Sequence, residues 1–463
     1  MAKPNSVKIV EVNKVGPPPA SSQNSTAAPN SLPLTFFDLM WLRFPPVQHL
    51  FFYEVPMVSN PTFFDSIVPK LNHSLSLTLH HFLPLAGSLT WPETSHKPLV
   101  SYVEGLDGVS FTVAESEVDL YNLLLSETDF SKATACHPLI PHLALSPERA
   151  AVLSVQVTLF PNLGFCIGLS THHAVTDGKA LTSFIKTWSE ICKLGGDDDQ
   201  LIKPLYDRSV IKDPKGLEEI YVEQWLKVDG PNNRSFLSNI ELQVPPDSVR
   251  GTFELTRSSI EKLRNLVEIE MAKKQNKKLV HISTFSLACA YAWACLVKAE
   301  DISTNVVFLS LPVDCRYRLE PRIPNYWGNC VASKVAIAET RDVFGKEGFV
   351  VAVNAIGEAI KSLDNIGLLF DGAEKWVSGM SSLPPFRVYS IAWSPRLEVY
   401  GTDFDWGRPR KAYVTSIDRT GAISVKDSRN GDGGVEIGLV LNKHHMDAFA
   451  SLFAQGIDED LPA

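Results

Sequence analysis

Residues 170–184 read STHHAVTDGKALTSF, and the organisation of the chain unfolds outward from them. Upstream, AVLSVQVTLF (151–160) and GFCIGLST (164–171) are β-rich runs separated by Pro161-Asn162-Leu163, which predicts a hairpin-like pair of strands. Downstream of Asp177, apolar residues recur at Ala180, Leu181, Phe184, Ile185, Trp188 and Ile191, the spacing of one helical face. The stretch is therefore a strand, a short loop and a helix. Asp177 stands where the helix begins, and its carboxylate suits the free N–H groups near Lys179 or Ala180. His172 and His173 leave the end of the strand. Side chains alternate across a strand, so with extended geometry the two rings face opposite ways and have different jobs. A histidine held by its neighbours suits general-base chemistry, because its ordinary pKa is near 6.5. The His-x-x-x-Asp spacing alone constrains only two positions.

The 463 residues are 44% hydrophobic and 21% charged, a globular composition long enough for two large domains or three smaller ones. A net charge of −9 without a clustered basic face argues against a nucleic-acid partner. The longest apolar run, 151–171, is broken by Pro161 and Asn162 and reads as strands, not as a membrane span. The N-terminus has no apolar core of signal-peptide length, so a cytosolic location is expected and the Asn-X-Ser/Thr sites at Asn24, Asn72 and Asn233 are expected to stay unmodified. Seven scattered cysteines with no CxxC pair predict buried reduced thiols and no metal site.

Further along the chain, 7–12 reads as a strand and 16–33 as an irregular surface segment. A helix is expected over 63–82, stopped by Pro84 and Gly87, with His80 and His81 at its end. Residues 193–200 form a Gly/Asp turn, and 201–245 are Pro-punctuated and read as a crossover. The second half alternates again. Helices are expected over 258–274, 282–299, 348–363 and 444–457, and strands over 249–256, 306–314, 388–394, 397–404, 412–417, 422–427 and 435–441. This gives two α/β halves, 1–200 and 246–463, joined by 201–245. TDFDWGRPRK (402–411) packs acidic, aromatic, glycine and basic residues into ten positions, which is unusual for a surface loop.

Two motifs now coincide. His173-Ala-Val-Thr-Asp177-Gly178 matches HxxxDG, and Asp403-Phe404-Asp405-Trp406-Gly407 matches DFGWG with Asp405 in place of a glycine. With LTFFD (34–38), LPLAGSL (83–89) and Ser283-Thr284-Phe285, they make the whole chain resemble the plant BAHD acyl-CoA-dependent acyltransferases. LYDRSVIKDP (205–214), YWGNC (326–330), GKEGF (345–349) and SPRLEVYGTDFDWGRP (394–409) resemble the branch that malonylates flavonoid and other phenolic glucosides, although that branch more often has Phe where Trp327 stands.

The resemblance implies a two-domain, chloramphenicol-acetyltransferase-like α/β fold with mixed sheets and an active-site channel between the domains. It implies a monomer that uses malonyl-CoA as co-substrate, binds no cofactor permanently, and acylates a phenolic or flavonoid glucoside. His173 is implied to be the base of a direct transfer, and no GxSxG nucleophile motif is present, in keeping with that route. Asp177 and Gly178 are implied to orient the loop. Asp403 is implied to be structural, with Arg316 as its partner and Gly407 beside it, and a catalytic proton role for Asp403 is the alternative. The Trp406 indole N–H is a candidate oxyanion donor. Lys179, Arg408 and Arg410 are candidates for reading the malonyl carboxylate. Arg264, Ser283 and Thr284 fall where the family contacts CoA, and the run KKQNKK (273–278) is a candidate attractor for it. Asp is among the better-tolerated residues if the glycine position at 405 needs φ > 0. Alternatives to a malonyl donor are hydroxycinnamoyl-CoA and acetyl-CoA. Alternatives of another class are a non-catalytic BAHD-like binding or scaffold protein, and a peptide-synthetase condensation domain, which shares HHxxxDG but belongs in a carrier-protein context.

Overall fold

The expected hairpin is the centre of the first sheet. In the computed structural model, Leu153–Phe160 and Gly164–Thr171 pair antiparallel, with Gly164 opposite Phe160 and Thr171 opposite Leu153. The structure describes residues 7–19, 28–117, 121, 124–126, 130–196, 203–237, 242–273, 282–364, 369–380 and 387–458. Among these, the first sheet runs in the order Val7–Val15, Val109–Ser116, Leu153–Phe160, Gly164–Thr171, Val47–Glu54, Lys411–Val414. The second runs Val331–Glu339, Val306–Asp314, Val388–Ala392, Ile423–Asp427, Val435–Asn442, Ser248–Leu255, Ser131–Lys132. Both are mixed, with parallel pairs between Val109–Ser116 and Leu153–Phe160 and between Val306–Asp314 and Val388–Ala392. A small third sheet joins short strands around Leu99–Ser101.

The two halves exchange strands. Ser131–Lys132 belongs to the first half of the sequence but pairs with Ser248–Leu255. Lys411–Val414 belongs to the second half but pairs with Val47–Glu54. The segment expected as a crossover contributes a helix, Leu217–Lys227, whose Leu217, Tyr221, Val222 and Trp225 are buried in the first core. Trp225 Nε1 donates to the Leu39 carbonyl at 2.7 Å.

The helix Gly178–Leu194 lies where the periodicity places it. All six residues of its predicted apolar face are buried, and Gly195, at φ 75°, ends it. Fully burying one large apolar side chain is worth about 1.5–3 kcal/mol, so Phe184 and Trp188 anchor this helix firmly to the sheet. Trp188 Nε1 also donates to Ser74 Oγ at 3.1 Å on the helix Val68–His81, which a π-helical turn, Phe63–Ile67, precedes.

One expectation is corrected. Residues 397–404 are not a strand: they form 3₁₀ turns, Pro395–Leu397 and Val399–Gly401, joined by Glu398 at φ 51°. The Asp427 carboxylate accepts from Val399 N at 2.9 Å, so a tertiary partner replaces a ladder bond. The strand Val331–Glu339 is an edge strand that the sequence reading does not anticipate. The segment 16–33 contains a short strand, Ser31–Pro33. The part of KKQNKK beyond Lys273, Asn24, and the turn residues 197–200 lie outside the described residues. All seven cysteines are free and buried.

Candidate active site

The strand Gly164–Thr171 ends and the chain turns at once: His172 N donates to the Val152 carbonyl, and Val175 N returns to the His172 carbonyl. The turn separates the two histidines. His172 is buried, its Nδ1 accepts from Ala174 N at 3.3 Å, and its ring meets Phe236 edge-on. Burial lowers its pKa to about 3. His173 is partly exposed. Its ring lies flat on Trp41, with centroids 4.0 Å apart and planes 5° apart, and edge-on to Phe44. Burial lowers its pKa to about 4, against the opposing pull of its own backbone carbonyl, Asp177 and Asn329. At neutral pH the ring is uncharged and carries a lone pair, the state a general base needs.

Asp177 caps the helix as its position predicts, with Oδ1 accepting from Ala180 N at 2.9 Å. Its main partner comes from the other half of the chain. Arg316 Nη2 donates to Oδ1 at 3.0 Å and Arg316 Nη1 reaches Oδ2 at 2.9 Å. Cys330 N donates to Oδ2 at 3.0 Å. Arg316 is fully buried and also donates to the Tyr326 and Gly328 carbonyls and to Asp314 Oδ1. Burial opposes its charge, but Asp177 outweighs it, and the guanidinium pKa rises. Arg316 therefore partners Asp177, which corrects the expected pairing with Asp403.

Asp403 sits at the other end of the same helix. Its Oδ2 accepts from Lys193 Nζ at 2.6 Å, and its Oδ1 accepts from Asp405 N and Gly407 N, each at 2.9 Å. Burial opposes ionisation, but these donors prevail and lower its pKa. Sixteen residues of helix at 1.5 Å each put Lys193 roughly 24 Å from Asp177. Trp406 meets the Phe165 ring edge-on, with Lys70 Nζ over its indole at 5.4 Å. Phe165 lies six residues before the strand ends at Thr171, so Trp406 is roughly 20 Å from His173. Neither Asp403 nor Trp406 reaches a reacting atom held at His173, so the catalytic alternative for Asp403 and the oxyanion assignment for Trp406 are both corrected. The loop is a latch between two helices. Asp405 takes φ 85° and binds Lys70 Nζ at 2.6 Å, and Gly407 also has φ 85°.

Of the three candidate carboxylate readers, only Lys179 is beside the His173 turn. Its Nζ lies 4.4 Å from the Tyr317 ring centroid and 3.6 Å from Asp314 Oδ2. Arg408 is exposed on the distant loop, and Arg410 N bonds the Phe52 carbonyl at that same end of the sheet. Arg264, Ser283 and Thr284 come together. Arg264 Nη1 donates to the Ile282 carbonyl at 2.7 Å, and Ser283 caps the helix Thr284–Ala299 through Ser286 N.

Sequence reasoning missed several site residues. Trp41 and Phe44 cradle the His173 ring, and Asn329 Nδ2 donates to the His173 carbonyl at 2.8 Å. Trp393, at φ 67°, stacks on buried His49 with centroids 4.8 Å apart. A Cβ on Gly178 would lie 3.2 Å from Leu397 Cδ1 and 3.6 Å from Trp393 Cδ1, so the glycine admits a close approach. YWGNC marked the segment of one of these residues, Asn329, but no periodicity exposes its contact with His173, 156 positions away.

A buried ion pair beneath a turn, with a neutral histidine on an aromatic shelf above it, is the candidate site that this mixed α/β fold presents. A profile described as the Transferase family matches residues 7–455, and the chain belongs to this family of BAHD acyl-CoA-dependent acyltransferases. It is 40% identical to phenolic glucoside malonyltransferase 2 of Arabidopsis thaliana over 97% of this chain and 99% of that one. It is 39% identical to phenolic glucoside malonyltransferase 1 of the same plant, covering 98% of each. The crystal structure of vinorine synthase shares the fold, with a TM-score of 0.69 at 20% identity over 96% of this chain and 98% of that one.

Proposed function

We propose that this protein transfers malonyl from malonyl-CoA to a sugar hydroxyl of a phenolic or flavonoid glucoside, with His173 as general base. The observation that carries the reading is the His173 ring itself: neutral, partly exposed, and fixed between Trp41 and Phe44. The ring nitrogen facing the acceptor takes the hydroxyl proton as the sugar oxygen attacks the thioester carbonyl. The tetrahedral oxyanion collapses, the C–S bond breaks, and the departing thiolate takes the proton back from His173. The chain then carries no acyl group at any stage. Proton transfer of this kind contributes about 10²–10⁴-fold.

Asp177 acts through geometry, because both its oxygens are consumed by Arg316, Cys330 N and the helix start. Lys179 is the cation placed to meet the donor carboxylate, and it exchanges its weak contact with Asp314 for that partner. Arg264, Ser283 and Thr284 are the proposed CoA contacts. The protein works as a cytosolic monomer. Strong sequence likeness to phenolic glucoside malonyltransferases over nearly the whole chain supports the donor and acceptor class.

Purified protein offered malonyl-, acetyl- and coumaroyl-CoA with a flavonoid glucoside and a simple phenolic glucoside gives a malonylated product by mass. Coumaroyl or acetyl transfer alone rejects the donor assignment and keeps the base. Full turnover by His173→Ala ends the assignment of the base.

A further inference from the structure

His49 takes no part in the proposed transfer. It lies in the strand Val47–Glu54, opposite Leu169 on one side and Val414 on the other, and both of these apolar neighbours are buried. His49 itself is 1% exposed. Among the described residues, neither its Nδ1 nor its Nε2 has a hydrogen-bond partner. Burial, with charge repulsion from His173 behind it, lowers its pKa to about 3. At neutral pH the ring is therefore uncharged and offers one N–H donor and one lone pair. Leaving a buried polar atom unpaired is costly, and His49 carries two such atoms. A phenylalanine of similar shape would avoid that cost, so the imidazole calls for a physical reason.

The ring is placed to meet a substrate held at His173. Leu169, opposite His49, and Thr171 share one face of the strand Gly164–Thr171, and the ladder runs on to His172, whose N donates to the Val152 carbonyl. His173 leaves the strand end on that same face, four positions beyond Leu169, or roughly 13 Å along the strand. Trp393 lies between the two histidines. Its indole stacks on His49 with centroids 4.8 Å apart and meets Phe51 at 6.5 Å. A Cβ on Gly178, the first residue of the helix Gly178–Leu194, would lie 3.6 Å from Trp393 Cδ1. Trp393 is half-buried and takes φ 67°, a left-handed conformation that strains a bulky side chain. The indole thus covers His49, and moving off it releases backbone strain.

We infer that His49 reads a hydroxyl on the aglycone of the acceptor, with Trp393 as the cover that the aglycone displaces. A hydroxyl is the complement of a neutral imidazole, since each supplies one donor and one acceptor. Roughly 13 Å of strand exceeds the width of one sugar ring, so a glucoside acylated at His173 brings its aglycone, and not its sugar, to His49. The inference rests on the reading of His173 as base and of a glucoside as acceptor. His49 is then a specificity-determining residue for a hydroxylated phenolic ring. A glucoside without that hydroxyl leaves both ring nitrogens unpaired in the complex, and a site built for a hydrogen bond discriminates against such an analogue.

The test compares wild-type protein with His49→Phe, and with the smaller His49→Leu should Phe fail to fold. The donor is malonyl-CoA, and the acceptors are 7-hydroxyflavone 7-O-glucoside and a set of its ring-hydroxylated derivatives. Circular dichroism and thermal midpoints establish folding. No malonylated product from the wild-type protein with any of these glucosides ends the malonyltransferase reading, and the inference with it. Given product, the wild-type protein is expected to favour at least one hydroxylated acceptor over the parent by about tenfold in kcat/KM, the worth of one hydrogen bond. His49→Phe is expected to erase that preference to within about twofold and to raise the KM for the favoured acceptor about tenfold. The KM for malonyl-CoA is expected to stay unchanged and the thermal midpoint to hold or rise, because Phe leaves no polar atom unpaired. A folded variant that keeps the wild-type preference and acceptor KM overturns the inference. So does a wild-type protein that ranks every hydroxylated glucoside within about twofold of the parent, a result that needs no variant at all.

Discussion

Replacing Asp177 with Ala tests the central claim that this carboxylate supports the site rather than takes part in the chemistry. The substitution removes the acceptor of four donors: Ala180 N, Arg316 Nη1 and Nη2, and Cys330 N. Arg316 stays fully buried, with Asp314 Oδ1 at 3.1 Å as its remaining anionic partner, and Asp314 is itself 36% exposed. Breaking a buried pair by deleting one member costs about 3–5 kcal/mol, and the lost helix cap accounts for about 1 kcal/mol within that. Domains of this kind have about 5–15 kcal/mol in total, so the variant folds only marginally. Urea unfolding at pH 7 measures the loss directly. Asp177→Asn keeps a good cap while removing the charge, so it should fall between wild type and Ala. A loss below about 1 kcal/mol in Ala, together with a hundredfold fall in kcat, refutes the reasoning and moves Asp177 into the chemistry.

Three other outcomes follow from the geometry. Asp403→Ala, which removes the partner of Lys193 and of two backbone N–H groups, should lower the thermal midpoint by a few degrees and leave kcat within about threefold; a folded variant with a 10²-fold lower kcat would return Asp403 to catalysis. Asp405→Gly exchanges an exposed ion pair worth about 0–1 kcal/mol for relief at φ 85°, so stability should change by less than about 1 kcal/mol and activity should hold; a tenfold activity loss contradicts the latch reading. Lowering the pH from 7 to 5 should destabilise the fold. Burial holds His49 and His172 at about 3, below the ordinary 6.5, so only the unfolded chain takes up these protons in that window. Stability present above pH 6.5 is lost by about 2 kcal/mol per histidine at pH 5, and a flat urea midpoint between pH 7 and 5 would show that these rings are not held neutral.

What was local was legible. The stripe from Ala180 to Ile191, the cap at Asp177 and the 151–171 hairpin are set by residues within a few turns of each other, where periodicity and capping chemistry act directly. The HxxxDG and DFGWG-like motifs also identified the family correctly. They did not reveal that they stand at opposite ends of one strand–helix unit, because spacing in sequence carries no distance in space. Residues 397–404 had the composition of a strand but turn as 3₁₀ segments, since Asp427 supplies hydrogen bonds that local propensity cannot anticipate. His173 and Asn329 are 156 positions apart, and Asp177 and Arg316 are 139 apart. Sequence alone therefore determined which elements form and which chemistry to look for. Which arginine meets which aspartate, which indole shelters His173, and which strand each half lends the other were decided by tertiary packing. A buried charge takes whichever partner the fold brings within about 3 Å, and only the closed chain determines that distance.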